Sequence, residues 1–482
     1  MQRFSFQRIN NSFTRFSENK YAILIILCVA FIIRFLFLLN TTQFENVSES
    51  GSIYNGLERL EKGDNLYLFE GNYSMALSYV AFFFKKITGH LFWFYVFQCL
   101  LSTLTIYFVY QIVIQVSNSK VSSTLAAILA LVYMDYVLLP SIAYNQTFEV
   151  FFTSAAILII FKMLKHKSIL YYLMYSSCLL VVIYLSLLFR GTLKYLYIIL
   201  PIVAGYNLLA KEGNRSISLR LIITFIIFLI CFIVFSPGKY FSNPENSGIV
   251  NNDFLFFGHT WYGGNGGEGS FVYENNKDNY NLALKEYLLK NNIKEPTIID
   301  INNFQRAEIK ESILKKPGSW LLLQTRKILY TYSIIPVRDT LSLLMTGRIR
   351  LGFILSALLS QITFIIPILL LFISLCSAKL KALFYNKKGF VLIMICGYLV
   401  AATSLYGHYQ ERYRIVVMVC TIIPIASIFF DLQFIRANIK NKRFLFWRAI
   451  TILLLFLVWS FQMFEALVIN KDRYFNAMEL LQ

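Results

Sequence analysis

Charged side chains are scarce in this chain: Asp, Glu, Lys and Arg make up 15% of its 482 residues, against 57% hydrophobic. Soluble domains carry about a quarter charged residues, so the composition excludes a soluble fold and predicts an all-α polytopic membrane protein. Histidine is rarer still. The four (His90, His166, His259 and His408) form no HxH or HExxH pairing, which leaves a zinc site without support. No P-loop, dinucleotide fingerprint or GxSxG elbow occurs, which argues against a cytoplasmic nucleotide site. The seven cysteines lie inside or at the edge of apolar runs, with no pair in a polar loop, so a disulfide framework is not expected. No internal repeat is visible, which weakens an inverted-repeat transporter. The first apolar run lacks a small-residue cleavage site and is long enough to span, so it is expected to remain as an anchor.

What the chain has in quantity is apolar sequence and positive charge. A spanning helix needs about 20 mostly apolar residues, and that rule gives eleven spans within a range of eleven to thirteen. They run over 21–40, 91–116, 121–139, 148–164, 169–188, 192–209, 218–237, 351–376, 389–406, 414–432 and 447–469. The net charge is +19, from 45 Lys and Arg against 26 Asp and Glu. In a soluble protein this balance would suggest nucleic acid; here the basic residues gather in alternate loops, as in segments that stay cytoplasmic. The tail with Arg3, Arg8 and Arg15 and the loops with Lys165, Lys211, Lys387 and Lys442 all fall on one side. The eleven-span topology therefore puts the N-terminus inside and the C-terminus outside.

This topology divides the chain into an N-terminal transmembrane module (1–237) with an external loop at 41–90, an external segment (238–350), and a C-terminal transmembrane module (351–482). The first loop is acidic, with Glu45, Glu49, Glu58, Glu61, Asp64 and Glu70. Ile53, Leu57 and Leu60 recur at helical spacing, so SIYNGLERLEKG reads as a helix lying on the membrane surface and stopped at Gly63. YSMALSYVAFFFKKITGH reads as a second interfacial helix. The external segment holds a Gly-rich stretch at 258–270 and two amphipathic helical stretches, which make it a small α-rich or mixed region.

Four features can carry chemistry. Glu49 and Glu45 stand outside the end of the first span. Glu149 opens the fourth span, where a carboxylate either favours a helix N-terminus or faces a polar cavity. Arg190 and Lys194, on one helical face by spacing, either snorkel to the interface or form an anion site, because a guanidinium matches a phosphate through paired hydrogen bonds. Arg412 and Arg414, in YGHYQERYRIVV, run against the positive-inside trend and so ask for another reason.

In order along the chain, FIIRFLFLL, ESGSIYNGLERLEKG, YSMALSYVAFFFKKITG, PSIAYNQTFE, LLFRGTLK, GHTWYGGNGGEGSF, IKESILKKPGSW and ERYRIVV span about 400 residues. In this succession the chain resembles the GT-C superfamily of membrane glycosyltransferases, in the branch with protein O-mannosyltransferases and lipid A aminoarabinose transferases. The family's catalytic Asp, with Tyr four residues later, aligns with Ser50, and Glu49 is the nearest carboxylate. The family's paired prolines are replaced by Ser74 and Met75.

The resemblance implies a GT-C fold and transfer of a sugar from a polyprenyl-phosphate donor to a lipid, glycan or protein acceptor, at the outer face of a bacterial cytoplasmic membrane. Glu49 is then the expected base, with Glu45 as the alternative, and Glu149 orients acceptor or sugar. Arg190, Lys85, Lys86 and Arg412 are the expected donor-phosphate cations, and Tyr54, Tyr262 and Asn265 the expected acceptor or sugar contacts. An inverting single displacement requires no cofactor or metal, and a divalent ion is compatible with it. The alternatives are an O-antigen-type polymerase, a lipid-linked oligosaccharide flippase or transporter, and a structural membrane protein.

Overall fold

The computed structural model describes residues 11–40, 49–64, 69–70, 73–166, 168–209, 215–235, 277–294, 298–318, 387–405, 414–429 and 442–464, with a few further positions between 296 and 365. The described chain is almost wholly helical. Its N-terminal half contains six helical segments long and apolar enough to cross a membrane, Ala22–Leu39, Phe92–Ser117, Gln146–Lys165, Ile169–Phe189, Gly191–Leu209 and Arg215–Val234. A bent pair, Lys120–Val132 with Met134–Ser141, makes a seventh. This is a multi-pass membrane protein, and these seven segments coincide with the first seven spans expected from hydropathy.

Helix α1 (Ala22–Asn40) shows how the sequence sorts protein from lipid. Ala22, Ile26, Ala30, Arg34 and Leu38 recur every four residues and are buried, while Leu24, Ile25, Val29, Ile32, Leu36 and Leu39 are exposed. In lipid the outward residues lose nothing by exposure, and the small Ala22 and Ala30 let the neighbouring backbone approach. Arg34 is fully enclosed on this stripe. Its Nε donates to Ser102 Oγ at 2.8 Å and its Nη1 to the Ala30 carbonyl at 3.0 Å.

The first loop folds as a helical hairpin. Helix α2 (Glu49–Glu61) closes on Gly63, whose φ of +86° is open to glycine at little cost. The Gly63 and Asp64 N–H groups donate back to Leu60 and Arg59, which caps the last turn. A two-residue antiparallel pair, β1 (Phe69–Glu70) with β2 (Tyr73–Ser74), turns the chain into α3 (Ala76–Thr88). Helices α2 and α3 touch closely at Gly56: a Cβ there would lie 2.6 Å from Ser78 Oγ, and Ser78 donates to the Ile53 carbonyl at 3.0 Å. Both stretches expected to be helical are helices, and Gly63 is the stop of the first.

Helix α4 (Phe92–Ser117) runs to Asn118, and α5 (Lys120–Val132) returns after an N-cap bond from Ser122 N–H to Ser119 Oγ at 3.2 Å. The span expected at 121–139 is present as a bent pair. The helix breaks at Tyr133 and bends by 64° into α6 (Met134–Leu138). Tyr133 has extended backbone, and its hydroxyl donates to the buried Asp135 at 2.6 Å, so a polar pair inside the apolar run replaces helix continuation. Helix α7 (Gln146–Lys165) is enclosed on nearly all sides by its neighbours, including α8 (Ile169–Phe189). The span expected at 192–209 is also altered: two short 3-10 turns, Gly191–Leu193 and Leu196–Ile198, precede α9 (Ile199–Leu209). Helix α10 (Arg215–Val234) follows and turns most of its surface to lipid.

Within 238–350, α11 (Lys277–Lys290) and α12 (Ile298–Lys315) pair through Tyr287 and the buried Phe304, 5.2 Å between ring centroids. In the C-terminal part, α13 (Lys387–Val400), α14 (Arg414–Phe429) and α15 (Lys442–Phe464) occupy the stretches read as spans nine to eleven. Most of 351–376 lies outside the described residues. The two halves are tied together by Tyr206 stacked on Phe390 at 4.0 Å and by Tyr136 donating to the Ile415 carbonyl at 3.1 Å.

Candidate functional site

The start of α7 is prepared by a non-helical link in the middle of the bundle. Pro140 sits in a 3-10 turn, and Gln98 from α4 donates its amide to the Pro140 and Ile142 carbonyls at 3.3 and 2.9 Å. The Ile142 carbonyl also accepts from Tyr144 N–H at 2.9 Å, so the Gln98 side chain adds to the backbone bonds that hold this non-helical link. Glu149 then falls in the first turn of α7, where the helix dipole favours a negative charge.

Glu149 is 1% exposed. An ionised carboxylate so enclosed needs a cation and donors, and both come from the segment after α8. Arg190 Nη1 lies 3.5 Å from Glu149 Oε2, and Thr192 Oγ1 donates to Oε1. Oε2 has no hydrogen-bond partner among the described residues. The guanidinium is 22% exposed, so the pair has a closed acidic side and a more open basic side.

The local backbone explains why Arg190 points to this place. Helix α8 ends at Phe189, and Arg190 is extended, with its N–H on the Ser186 carbonyl at 2.7 Å. The expectation that Arg190 and Lys194 share a helical face is therefore corrected, because a 3-10 turn separates them. Lys194 stands over the Tyr195 ring, 5.1 Å from its centroid. Tyr398 from α13 fixes this turn, donating to the Thr192 carbonyl at 2.7 Å and accepting from Tyr195 N–H at 3.1 Å.

Around Glu149 the buried wall is polar. Gln146, Thr147, Thr153 and Ser154 are enclosed and keep side-chain polar atoms without a hydrogen-bond partner among the described residues. Gln146 and Thr147 line a small cleft with Ser102, Thr105 and Tyr136. Unpaired buried polar groups cost free energy, so α7 carries a row of donors and acceptors that packing alone does not require.

The first-loop hairpin reaches the same end of the bundle. Phe84 of α3 meets Phe97 of α4 at 5.1 Å; Phe97 meets Phe148 at 6.1 Å, and Phe148 stacks on Phe189 at 4.3 Å. Phe148 and Phe189 are the sequence neighbours of Glu149 and Arg190. An aromatic ladder thus joins the acidic hairpin to the buried ion pair.

The expected site residues divide accordingly. Glu149 and Arg190 are brought together. Lys85 pairs with Glu61, Lys86 stands over the Phe82 ring at 5.9 Å, and the Tyr54 hydroxyl bonds that of Tyr95 on α4. Glu49 opens α2, but its side chain lies outside the described residues, as do Glu45, Tyr262, Asn265 and Arg412. Sequence reasoning missed Thr192, Tyr398 and Gln146. The first and last had a readable signal, a hydroxyl or amide beside a charge at the end of an apolar run; Tyr398 had none. Among the described residues no group of three or more His, Cys, Asp or Glu has the arrangement of a metal site.

No protein-family model matches the chain, and no curated protein matches it.

Proposed function

We propose that this chain is an integral-membrane glycosyltransferase of GT-C type. It has about eleven spans, and it transfers a sugar from a polyprenyl-phosphate donor to an acceptor at the extracytoplasmic face. The observation that carries the reading is the ladder from Phe84 to Phe189, which links the acidic hairpin to a carboxylate–guanidinium pair at one end of the bundle. Transfer of this kind needs a carboxylate to take the acceptor proton and cations to hold the leaving phosphate, at headgroup depth. In the proposed step the acceptor oxygen bonds the anomeric carbon as the bond to the phosphate oxygen breaks. The proton passes to Glu49, the electron pair stays on the phosphate, and Arg190 binds that phosphate on its open side. Glu149 holds Arg190 in place and offers Oε2 to a sugar or acceptor hydroxyl.

Arg34, a buried cation inside α1, favours a second reading as a lipid-linked oligosaccharide transporter, since intramembrane charge often marks a substrate path. One experiment separates the two. Purified protein in lipid nanodiscs is given a panel of radiolabelled polyprenyl-phosphate sugars with candidate lipid, glycan and peptide acceptors. Release of polyprenyl phosphate coupled to acceptor labelling is expected. In proteoliposomes, movement of intact donor between leaflets without release would establish transport instead.

A further inference from the structure

Between α4, α6 and the first turn of α7 lies a cleft with a volume of about 10 Å³, room for one molecule the size of water. Leu139, Pro140 and Val150 form its apolar wall. Its polar wall has two sides of different character. On α7, Gln146 is fully buried with neither amide atom hydrogen-bonded among the described residues, and the buried Thr147 hydroxyl is likewise without a partner there. This side offers both donors and acceptors. On α4, the hydroxyl protons of Ser102 and Thr105 are already committed. Thr105 donates to the Leu101 carbonyl at 3.0 Å, and Ser102 to the Tyr136 carbonyl at 2.8 Å. The Tyr136 carbonyl needs that bond, because the residue four places on, where a helix would supply an N–H, is Pro140. The α4 side therefore only accepts.

A guest that satisfies both sides must donate to the α4 oxygens while it exchanges hydrogen bonds with Gln146 and Thr147. A halide donates nothing and would meet lone pairs on α4. A metal ion would take the oxygens, but Arg34 Nε donates to Ser102 Oγ at 2.8 Å, so a guanidinium already stands against that wall and repels a second cation. Water has two protons to give and two lone pairs, and a buried water typically makes about three hydrogen bonds. Unpaired polar side chains in a bundle core cost free energy, which such a set of bonds offsets.

We infer that this cleft is a binding site for a single structural water, held by Gln146 and Thr147 of α7 and bonded across to the α4 hydroxyls. It couples the start of α7 to the wall that holds Arg34. Neither Glu149 nor Arg190 lines the cleft, and the site does not depend on the proposed transferase activity.

The test is X-ray hydroxyl-radical footprinting of the full chain in lipid nanodiscs, with a membrane-impermeant scavenger in solution to remove radicals formed in bulk water. Tyr136, Leu139 and Val150 are only 3–4% exposed, so label on them reports radicals formed on internal water. Wild type is expected to be labelled there despite the scavenger. The Gln146→Leu, Thr147→Val double variant nearly preserves side-chain volume and makes the α7 wall apolar. Apolar cavities stay dry, so the label should be lost. Thr147→Ser retains the hydroxyl and should retain the label. An unlabelled wild type, label that the scavenger suppresses as fully as at the exposed Leu282, or an unchanged yield in the apolar double variant would each overturn the site. Should the double variant fail to fold, wild type and Thr147→Ser still decide, because loss of label with the hydroxyl preserved also overturns it. A yield that rises when chloride is withdrawn would assign the cleft to a halide and sink the water reading.

Discussion

The carboxylates of the first-loop hairpin and the carboxylate of Glu149 meet their cations under opposite conditions. On α2 the pairs Glu58–Lys62, Arg59–Asp64 and Glu61–Lys85 are all well exposed to their surroundings. Water and ions screen them, and exposed pairs generally contribute little. Glu149 is enclosed in the bundle beside Arg190 and Thr192, where screening is weak on the acid's side and loss of a partner leaves it stranded. The two regions carry the same residue types at one end of the molecule. The hairpin's described acids are therefore weak as structure, whereas Glu149 is strong as structure, and its paired guanidinium is the more open side of the pair.

The largest effects should appear in catalysis. If Glu49 is the base of the proposed transfer, Glu49→Gln lowers the sugar-transfer rate by about 100-fold to 10,000-fold, the range for lost acid–base catalysis, while Glu45→Gln changes it little. Glu149→Gln should then act mainly on donor affinity, by loosening Arg190. A normal rate in Glu49→Gln with a collapsed rate in Glu149→Gln would reverse the assignment and make the buried acid the base.

Stability gives the next contrast. Arg190→Met strands the Glu149 charge and is expected to cost about 3–5 kcal/mol, nearer the lower figure because the guanidinium is partly exposed. The double variant Glu149→Gln, Arg190→Met should recover most of the loss, since neither charge remains. Thermal unfolding of the detergent-solubilised protein reads both. A double variant no better than the single would mean that the pair is not coupled.

Gly56 tests the hairpin by packing. Gly56→Ala sets a methyl group against Ser78 Oγ and Cβ, which would lie 2.6 and 3.1 Å away, and overpacking of this kind costs about 1–3 kcal/mol. Faster proteolysis of the 41–90 loop is the expected readout. Ser78→Gly in the same chain should restore protection by reopening the space; failure to restore it would mean that α2 and α3 do not meet at Gly56.

The sequence made the first seven spans legible because apolar length is a local property. The first helix of the hairpin was legible for the same reason: the Ile53, Leu57 and Leu60 stripe and the Gly63 stop lie within eleven residues. The break at Tyr133 was missed because the hydropathy of 121–139 stays high while one Asp–Tyr hydrogen bond redirects the chain. Glu149 and Arg190 were each recognised as candidates, but a pairing across 41 positions has no trace in periodicity. Thr192 and Tyr398 complete the site through contacts set by the packing of α13 on the turn after α8. Such contacts are properties of the assembled bundle.

The smallest expected effect closes the contrast between exposed and buried charge. The Lys62 ammonium donates to Glu58 at 2.7 Å, and this hydrogen bond holds the Glu58 carboxyl below its usual pKa while Glu58 raises that of Lys62. For a lowered carboxyl, any stabilisation is present above the unfolded pKa and fades as pH falls through the folded one. For a raised ammonium it is present below the unfolded pKa and fades as pH rises through the folded one. The pair is therefore intact across neutral pH. Because both groups are fully exposed, Lys62→Gln should leave the unfolding temperature unchanged at pH 7, and the wild-type and variant curves should stay parallel from pH 5 to pH 9. A drop at pH 7 as large as that of Arg190→Met would show that the hairpin charges are structural after all, and the distinction between the two acidic regions would fail.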